Sequence, residues 1–463
     1  MRNGVENALQ GDPKRCRCDS GSRRKFLGRT GALGGGILLG NSLASATPAA
    51  RPRRPKVACL FTELTRLSHA HVILENFLEK YPFNGHIIDP GVDIVSFWGD
   101  QFRERGDMAH DVSREYNIPL FKTIDQALCL GGKELAVDAV LAIGENGQYP
   151  RVREWVVQYP RKRFFDESVA VMRRSGRFVP YFNDKQFSHR WDWAKQMCDT
   201  AHQLGIPLMA GSSVPLAQRI PPFELPVGAE ISEAMVIHGG SFENYGIHAL
   251  ETLQSLIEFR KGGETGISQI EVLYDDELWQ GAEAGKWPLE LAAAAMRVET
   301  GQSFTPTTEL HDPPRWGREP WHGFLVTYKD GLKGYILKIG ANPMRWNFAC
   351  RLKGESQPRA MRFYPGPWFN RNLFRALGHA IQHFFIHGEA PCPPERVLLA
   401  NGAVLAAVDA YFQRGRPLET PHLEFSYKPQ DFRDFREMGE SWKKIIPEGT
   451  LEPPGIARLP ETG

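Results

Sequence analysis

One lysine stands where a parallel strand is expected to end. The segment RFVPYFNDKQ, residues 177 to 186, is an apolar strand-like run followed by Asp184 and Lys185. Ligands of parallel sheets bind in the crevice outside the carboxyl ends of the strands. A lysine there can polarise a carbonyl or an alkoxide, or hold a ribose hydroxyl. A lysine on a solvent-exposed loop fits the same pattern, so this segment alone leaves both interpretations open.

Strand-like and helical segments alternate around that lysine and would position it at the edge of a sheet. Between residues 55 and 213, amphipathic runs separate six apolar, strand-like runs: VACLF, DIVSF, PLFKT, AVLAIG, RFVPYF and IPLMAG. The longest amphipathic run, YPRVREWVVQYPRKRFFDESVAVMRRS, is expected to be helical. Parallel strands need such crossover connections. The pattern predicts an α/β fold here, a Rossmann-like, doubly wound parallel sheet of nucleotide-binding type.

The pattern changes from about residue 214. Proline-rich connections lead to a helix around IHALETLQSLIEF and to the strand-like runs ISQIEVLYD, GFLVTYKD, GLKGYILKIG and FACRLKG. The dipeptide Asp330-Gly331 between two of these runs is a hairpin signal. We therefore predict an α+β domain with an open antiparallel sheet over residues 214–430, serving substrate binding or oligomerisation. An irregular tail, rich in proline and charge, is expected over residues 431–463.

The strand-end lysine and a second segment together resemble the Gfo/Idh/MocA oxidoreductases. In that family the turn reads Glu-Lys-Pro, and its lysine is catalytic. Here Asp184 and Lys185 match the first two positions, and Gln186 replaces the proline. The segment GGSFENYGIHALETLQSL, residues 239 to 256, looks like the family's glycine-rich turn before a helix, and His248 falls on the catalytic histidine. The resemblance implies that Lys185 and His248 are catalytic.

Further positions on that helix follow from the same match. Asn244 falls on an aspartate four residues before the histidine, and Glu251 on an acidic residue three after it. Residues four apart share one helix face, so Asn244 and His248 are expected to meet the same substrate carbinol. An amide cannot act as the carboxylate that orients or charges a histidine, and the adjacent Glu243 is expected to point elsewhere. The alternative interpretation of His248 is a hydrogen-bonded histidine between two domains.

The cofactor implied by the resemblance is NAD(P), but the first strand and turn lack its usual binding residues. The segment KVACLFTELTRLSHAHVIL, residues 56 to 74, contains no glycine, whereas a dinucleotide fold places glycines here so that backbone amides approach the pyrophosphate. Glu63 would impede that approach. Thr62 and the helix N-terminus at Ser68 remain the expected phosphate contacts.

Three acidic residues complete the expected cofactor contacts. Asp100 follows the second strand, where an NAD enzyme of this fold binds the adenine ribose hydroxyls; a solvated loop charge fits equally well. Glu145 stands where the family has a Thr-Pro turn on the nicotinamide side, and a carboxylate there could instead hold a sugar or a metal. Asp184 adjoins the same crevice, which the small polar residues of AGSSVP, residues 210 to 215, also face.

A metal site is the weaker alternative. His69 and His71 follow the first strand, and an HxH motif there is the metal signature of amidohydrolase barrels. Two histidines two residues apart share a metal only from an extended segment, whereas these lead into an amphipathic helix on which they diverge. We therefore assign no metal and expect Ser68 to cap this helix.

The N-terminus predicts export. SRRKFLG, residues 22 to 28, carries twin arginines and is followed by a short apolar, glycine-rich segment and an Ala-x-Ala site at residues 44 to 46. These three parts resemble a twin-arginine signal. We predict a signal peptide and linker over residues 1–50 and a periplasmic or extracellular location. Because this route exports folded proteins, a cofactor would be installed in the cytoplasm.

Composition excludes several classes of protein. The 463 residues are 42% hydrophobic and 24% charged, with a net charge of +2, which is typical of a soluble globular protein. No basic patch argues for nucleic acid, and no segment after the signal is expected to span a membrane. The five cysteines beyond the signal are scattered and form no CxxC pair. Homo-oligomerisation is expected only by analogy with the family.

These observations define three hypotheses for function. The first is an exported oxidoreductase that moves hydride between a tightly bound NAD(P) and a small carbohydrate or polyol. The second is a non-redox lyase or hydrolase of modified sugars on the same scaffold. The third is a catalytically silent carbohydrate-binding protein. Because a fold does not determine a function, the residues of the site have to separate them.

Overall fold

The computed structural model describes residues 53–312, 319–414, 416–438, 446–447, 449–452 and 455–456. The signal predicted over residues 1–50 lies outside the described residues. From Arg53 onward the chain forms one compact unit. The predicted division of this part at residues 213 and 214 stays a prediction.

The described strands are short to medium in length. They are β1 (Lys56–Phe61), β2 (Tyr81–Phe83), β3 (His86–Ile88), β4 (Asp93–Gly99), β5 (Ala139–Ile143), β6 (Arg151–Val152), β7 (Val156–Val157), β8 (Tyr181–Asp184), β9 (Leu208–Gly211), β10 (Gln218–Ile220), β11 (Ile231–His238), β12 (Ile267–Tyr274), β13 (His322–Tyr328), β14 (Lys333–Lys338), β15 (Trp346–Leu352), β16 (Arg359–Tyr364) and β17 (Leu418–Glu419).

The described α-helices connect and flank these strands. They are α1 (His69–Leu78), α2 (Ala109–Glu115), α3 (Ile124–Cys129), α4 (Arg161–Ser175), α5 (Trp191–Leu204), α6 (Phe242–Ile257), α7 (Asp276–Glu283), α8 (Leu289–Thr300), α9 (Asn370–His387) and α10 (Pro394–Gln413). Within the described part of the chain, no helix combines the length and the hydropathy of a membrane-spanning segment.

The first sheet is parallel throughout, in the order β4-β1-β5-β8-β9. Its strands are apolar because both faces are covered. Along β1, Val57, Cys59 and Phe61 enter one hydrophobic core, whereas Ala58 and Leu60 enter another on the opposite face. This alternation confirms the predicted Rossmann-like sheet, doubly wound with helices.

Two predicted elements differ from the structure. The run PLFKT forms no strand but only an isolated bridge between Phe97 and Leu120 at the sheet edge, because Pro119 has no N–H for a ladder. The long helix predicted from residue 149 is a short hairpin, β6 and β7, followed by α4. Pro160 explains this difference, because a proline inside the helix would break it, whereas the structure places it at the helix start.

The second sheet has eight strands in the order β10-β16-β15-β11-β14-β13-β12-β17. Its pairings are antiparallel except for β11 with β14, so the predicted α+β architecture is confirmed. The predicted hairpin joins β13 to β14, with Gly331 at a φ of 88°. Helix α6 packs on β11 and β14, and α10 packs on α6 and α5. This arrangement brings α6 over the carboxyl edge of the parallel sheet.

Candidate functional site

A cluster of buried polar side chains, which we call the crevice, lies where the ends of the parallel strands meet α6. We define it by Asp184 and Lys185 at the end of β8, Ser212 after β9, and His248 and Glu251 on α6. Each of these residues is less than one-tenth exposed. The crevice therefore joins residues that the sequence analysis selected from two distant segments.

Lys185 has an unusual backbone conformation. Its φ is 61°, in the left-handed region that residues with a Cβ rarely adopt and that recurs at functional turns. Its Nζ donates a hydrogen bond of 2.9 Å to Oε1 of Glu145, and its carbonyl oxygen accepts one of 3.1 Å from the Gly211 N–H. Because Lys185 is 4% exposed, its ammonium depends on Glu145 for compensation.

Glu145 is shared by two cations. Its Oε2 also accepts a hydrogen bond from Arg161, the first residue of α4. Burial opposes ionisation of Glu145, but the charges of Lys185 and Arg161 outweigh it and hold its pKa below the ordinary value. Gly144 allows this approach, because a Cβ there would lie 2.6 Å from Cγ of Arg161. The three side chains form a buried ion triad.

Helix α10 anchors the loop that follows Lys185. The side-chain amide of Asn401 donates to the carbonyl oxygen of Ser188 at 2.9 Å and accepts from its N–H at 3.1 Å. Both residues are buried. The loop therefore receives its backbone hydrogen bonds from a side chain of a distant helix.

His248 is held through Ser212. Its Nδ1 lies 2.5 Å from Oγ of Ser212, which also accepts from the Val214 N–H at 3.1 Å. The hydroxyl proton then points to Nδ1, and the ring proton is assigned to Nε2. Burial and the nearby Lys185 charge lower the pKa of His248 far below its ordinary value. The ring is therefore neutral and presents an N–H donor from Nε2.

Glu251 lies beside His248 with one unused oxygen. Oε2 accepts a hydrogen bond of 3.0 Å from the Ser212 N–H, but Oε1 is buried and has no hydrogen-bond partner among the described residues. Burial raises the pKa of Glu251 to about 7. Gly211, at a φ of 128°, permits this packing, since a Cβ there would lie 2.8 Å from Oε2.

The expectation that Glu243 points elsewhere is wrong. Glu243 is 3% exposed, and its Oε1 accepts a hydrogen bond from the Gln186 side chain. Burial raises its pKa to about 7. Gln186, which replaces the family's proline, therefore supplies the partner that brings Glu243 to the loop after β8.

Asn244 is only half-buried on α6, and its side chain makes no hydrogen bond to another described residue. Its expected contact with the substrate, like the catalytic roles of Lys185 and His248, stays a prediction.

The two histidines of the HxH motif have different partners. Nδ1 of His69 lies 2.7 Å from Oδ2 of Asp184, whereas Nδ1 of His71 accepts from the Leu67 N–H at 2.8 Å. His69 therefore belongs to the crevice, where it fixes Asp184. Oδ1 of Asp184 is buried without a hydrogen-bond partner among the described residues.

The residues assigned to phosphate binding are already engaged. Oγ1 of Thr62 is buried and donates to the carbonyl oxygen of Glu145 at 2.6 Å. Ser68 caps α1 as predicted, accepting from the His71 N–H at 3.3 Å. The His69 N–H donates to Oδ1 of Asn146 at 2.9 Å. The Thr62 hydroxyl and the His69 and His71 N–H groups, which a pyrophosphate would need, therefore already bind acceptors of the protein itself.

Two ion pairs occupy the rest of the dinucleotide position. Glu63 is 2% exposed, and Arg103 binds both of its oxygens at 2.6 and 2.8 Å. Asp100 accepts from the Tyr149 hydroxyl at 2.7 Å and from Arg163. A buried carboxylate at the turn repels a pyrophosphate, and the expected ribose acceptor is already satisfied. The residues present do not fit a dinucleotide bound in the manner of this fold.

Sequence reasoning missed Arg161. A basic residue in the first turn of a helix is electrostatically unfavourable, so its presence directly after Pro160 is a signal of a compensating carboxylate nearby. Glu145, sixteen residues earlier, is that carboxylate.

Comparisons with known proteins find similarity only among solved structures. No protein-family model matches the chain, and no curated protein matches it. A scyllo-inositol dehydrogenase from Lactobacillus casei is 10% identical, with a TM-score of 0.49, over 79% of this chain and 98% of that chain. An oxidoreductase from Agrobacterium radiobacter, solved with NAD+, L-tartaric acid and magnesium, is 12% identical, with a TM-score of 0.48, over 79% and 98%.

A third similar structure is GenD2 from gentamicin A biosynthesis, solved with NAD. It is 13% identical, with a TM-score of 0.48, over 79% of this chain and 96% of that chain. The similar structures include Gfo/Idh/MocA-type oxidoreductases, the family that the sequence resembles. Similarities of this strength carry no conclusion about activity, which has to be argued from the crevice itself.

Proposed function

We propose that the crevice binds a sugar or polyol and performs proton-transfer chemistry on it without a dinucleotide, as a lyase or hydrolase of modified sugars does. The observation that carries this proposal is a pair of buried carboxylate oxygens, Oδ1 of Asp184 and Oε1 of Glu251, which have no hydrogen-bond partner in the described part of the chain. Buried polar atoms are rarely left unpaired. Hydroxyl groups of a polyol would donate to both oxygens.

The neighbouring groups supply acid-base and electrostatic functions. A carboxyl group with a pKa of about 7, such as Glu251, both accepts and gives a proton near neutral pH, which suits a general acid or base. The Lys185 ammonium would stabilise an alkoxide or enolate oxygen, and His248 would donate from Nε2. An elimination on this site breaks a C–H and a C–O bond, forms a C=C bond and needs no redox cofactor.

Loss of Lys185 is expected to abolish most of the activity. Turnover of oligosaccharides containing uronic acids, followed by the ultraviolet absorbance of the new C=C bond or by release of reducing ends, should fall about 10²- to 10⁴-fold in Lys185→Ala. Lys195→Ala, which removes an exposed lysine, is the matched control and should leave kcat unchanged. Full activity of Lys185→Ala would contradict the assigned role.

The second candidate is an NAD(P)-dependent oxidoreductase acting on a sugar or polyol. It is favoured by the shared crevice, in which the Lys185 charge acts on His248, as the family's catalytic pair would require. Export by the twin-arginine route, a periplasmic or extracellular location and homo-oligomerisation also remain proposals.

Dinucleotide binding separates the two candidates. We expect mass spectrometry to detect no NAD(H) or NADP(H) in the folded protein when it is purified from the cytoplasm. We also expect no rise in Tm when either dinucleotide is added, because the phosphate-binding donors and Asp100 are already engaged. A released dinucleotide, or a Tm that rises with its concentration, would favour the oxidoreductase.

A further inference from the structure

A second candidate site, with arginines in an otherwise largely apolar lining, lies away from the crevice near the end of α6. A cavity of about 150 Å³ opens between β10, the last turns of α6 and the segment 431–436. Ser255 and Phe259 on α6 form one wall. Two arginines of the opposite walls, Arg219 and Arg436, are 6% and 1% exposed. We call this cavity the arginine cavity.

The two guanidinium groups share a single carboxylate. Nη1 of Arg219 donates to Oε2 of Glu224 at 2.7 Å, and Nη2 of Arg436 donates to Oε1 of the same residue. Nε of Arg219 and both Nε and Nη1 of Arg436 are buried without a hydrogen-bond partner among the described residues. Three nitrogen atoms of these buried cations therefore have no hydrogen-bond acceptor among the described residues.

The charges that line the arginine cavity do not balance. Besides the two buried arginines, Arg433 lines it and is paired with Asp431 on its exposed side. Three cations thus face two carboxylates. Burial lowers the pKa of Arg219, and the charge of Arg436 lowers it further, to about 9. The lowered pKa reflects the free-energy cost of holding two guanidinium groups close together. An anion in the cavity would remove this cost.

Aromatic contacts do not satisfy the unused donors. Arg219 lies over the Phe363 ring at 5.6 Å, and Arg436 over the Phe432 ring at 5.7 Å. Such contacts use the face of the guanidinium plane, whereas its N–H groups point outward within the plane. The rings therefore supply no acceptor to the unused N–H groups of the two arginines.

We propose that the arginine cavity binds a small oxyanion, of the phosphate or sulfate type, through the guanidinium groups of Arg219 and Arg436, which line it. Planar guanidinium groups bind such anions with paired, charge-assisted hydrogen bonds. The ion is either free or a substituent of a larger ligand. This site is distinct from the crevice and stands whether or not the proposed function holds.

Binding of inorganic phosphate and sulfate to the full chain tests this inference. Calorimetric titration and Tm are measured against NaCl at matched ionic strength, and glycerol phosphate replaces the free ion in a parallel arm. We expect saturable binding in the presence of NaCl. Tighter binding of glycerol phosphate assigns the anion to a larger ligand, and equal or weaker binding assigns it to the free ion; either outcome supports the site. No saturation beyond the NaCl effect would overturn the proposal.

Two substitutions with opposite expected signs guard against a folding defect. Arg219→Gln should weaken phosphate binding at least tenfold, because it removes a cation and a donor. Glu224→Gln should strengthen binding several-fold, because it removes the competing carboxylate. It should also lower Tm in the absence of anion, because both arginines lose their shared partner, and phosphate should restore that Tm. Arg359→Gln, in an exposed pair with Glu355, is the matched control. Weaker binding in Glu224→Gln would overturn the proposal even if Arg219→Gln does not fold.

Discussion

Replacing Glu145 with glutamine is expected to lower the free energy of unfolding by about 3–5 kcal/mol, the usual cost of removing one partner from a buried ion pair. The reason is that Lys185 and Arg161, whose side chains are 5% and 2% exposed, would then be two buried cations without their shared carboxylate. Urea denaturation at constant pH measures the change through the midpoint and slope of the transition.

Two further variants identify the cause of that loss. Asp166→Asn breaks the pair with Lys162, in which the aspartate side chain is 53% exposed, and should cost less than about 1 kcal/mol. Lys185→Met in the Glu145→Gln background removes one of the two uncompensated cations and should recover part of the stability. Glu145→Gln with no larger effect than Asp166→Asn would show that the triad does not stabilise the fold.

The pH dependence of stability should change when Glu251 is replaced with glutamine. The pKa of Glu251 is about 7 in the folded protein, above its ordinary value of 4.5, so the folded state binds the proton more tightly. Its contribution to stability is therefore complete below pH 4.5 and is lost as the pH rises through about 7. The free energy of unfolding of wild type minus that of Glu251→Gln should therefore fall by on the order of 3 kcal/mol between pH 4.5 and pH 7.

This difference is measured by urea denaturation at several pH values, with Glu167→Gln as the exposed control. Subtracting the free energy of unfolding of the variant from that of wild type removes the contribution of His248. That contribution has the opposite sign, because the lowered pKa of His248 destabilises the fold as the pH falls. If the free energy of unfolding depends on pH in the same way in wild type and in Glu251→Gln, the raised pKa of Glu251 is contradicted.

Local sequence patterns predicted the architecture because each strand and helix carries its own signal. Val57, Cys59 and Phe61 alternate with residues that enter a second core, and that pattern of burial is readable from the β1 segment alone. Asp184 and Lys185 were placed at the carboxyl edge by the same reasoning. The hairpin at residues 151–157 was not, because two short strands leave no periodicity to distinguish them from a helix.

Partners within the crevice were harder to predict because they depend on long-range packing. Ser212 and His248 are 36 residues apart, and Gln186 and Glu243 are 57 apart. Nothing in the segment around Glu243 indicates that an amide from another element will meet it. The missing glycines after β1 did predict a difficulty for the cofactor. Only the structure shows which side chains, such as Asn146, accept the hydrogen bonds that a phosphate would accept.

The anchoring of Ser188 by Asn401 has a consequence for the order of events during synthesis. The two residues are 213 positions apart, so all five strands of the parallel sheet leave the ribosome long before the anchor exists. Until α10 docks, the backbone N–H and C=O of Ser188 lack their native partners, and contacts of such sequence separation form slowly. The loop that carries Lys185 is therefore completed late, and a chain that ends before α10 would have the sheet without a finished crevice.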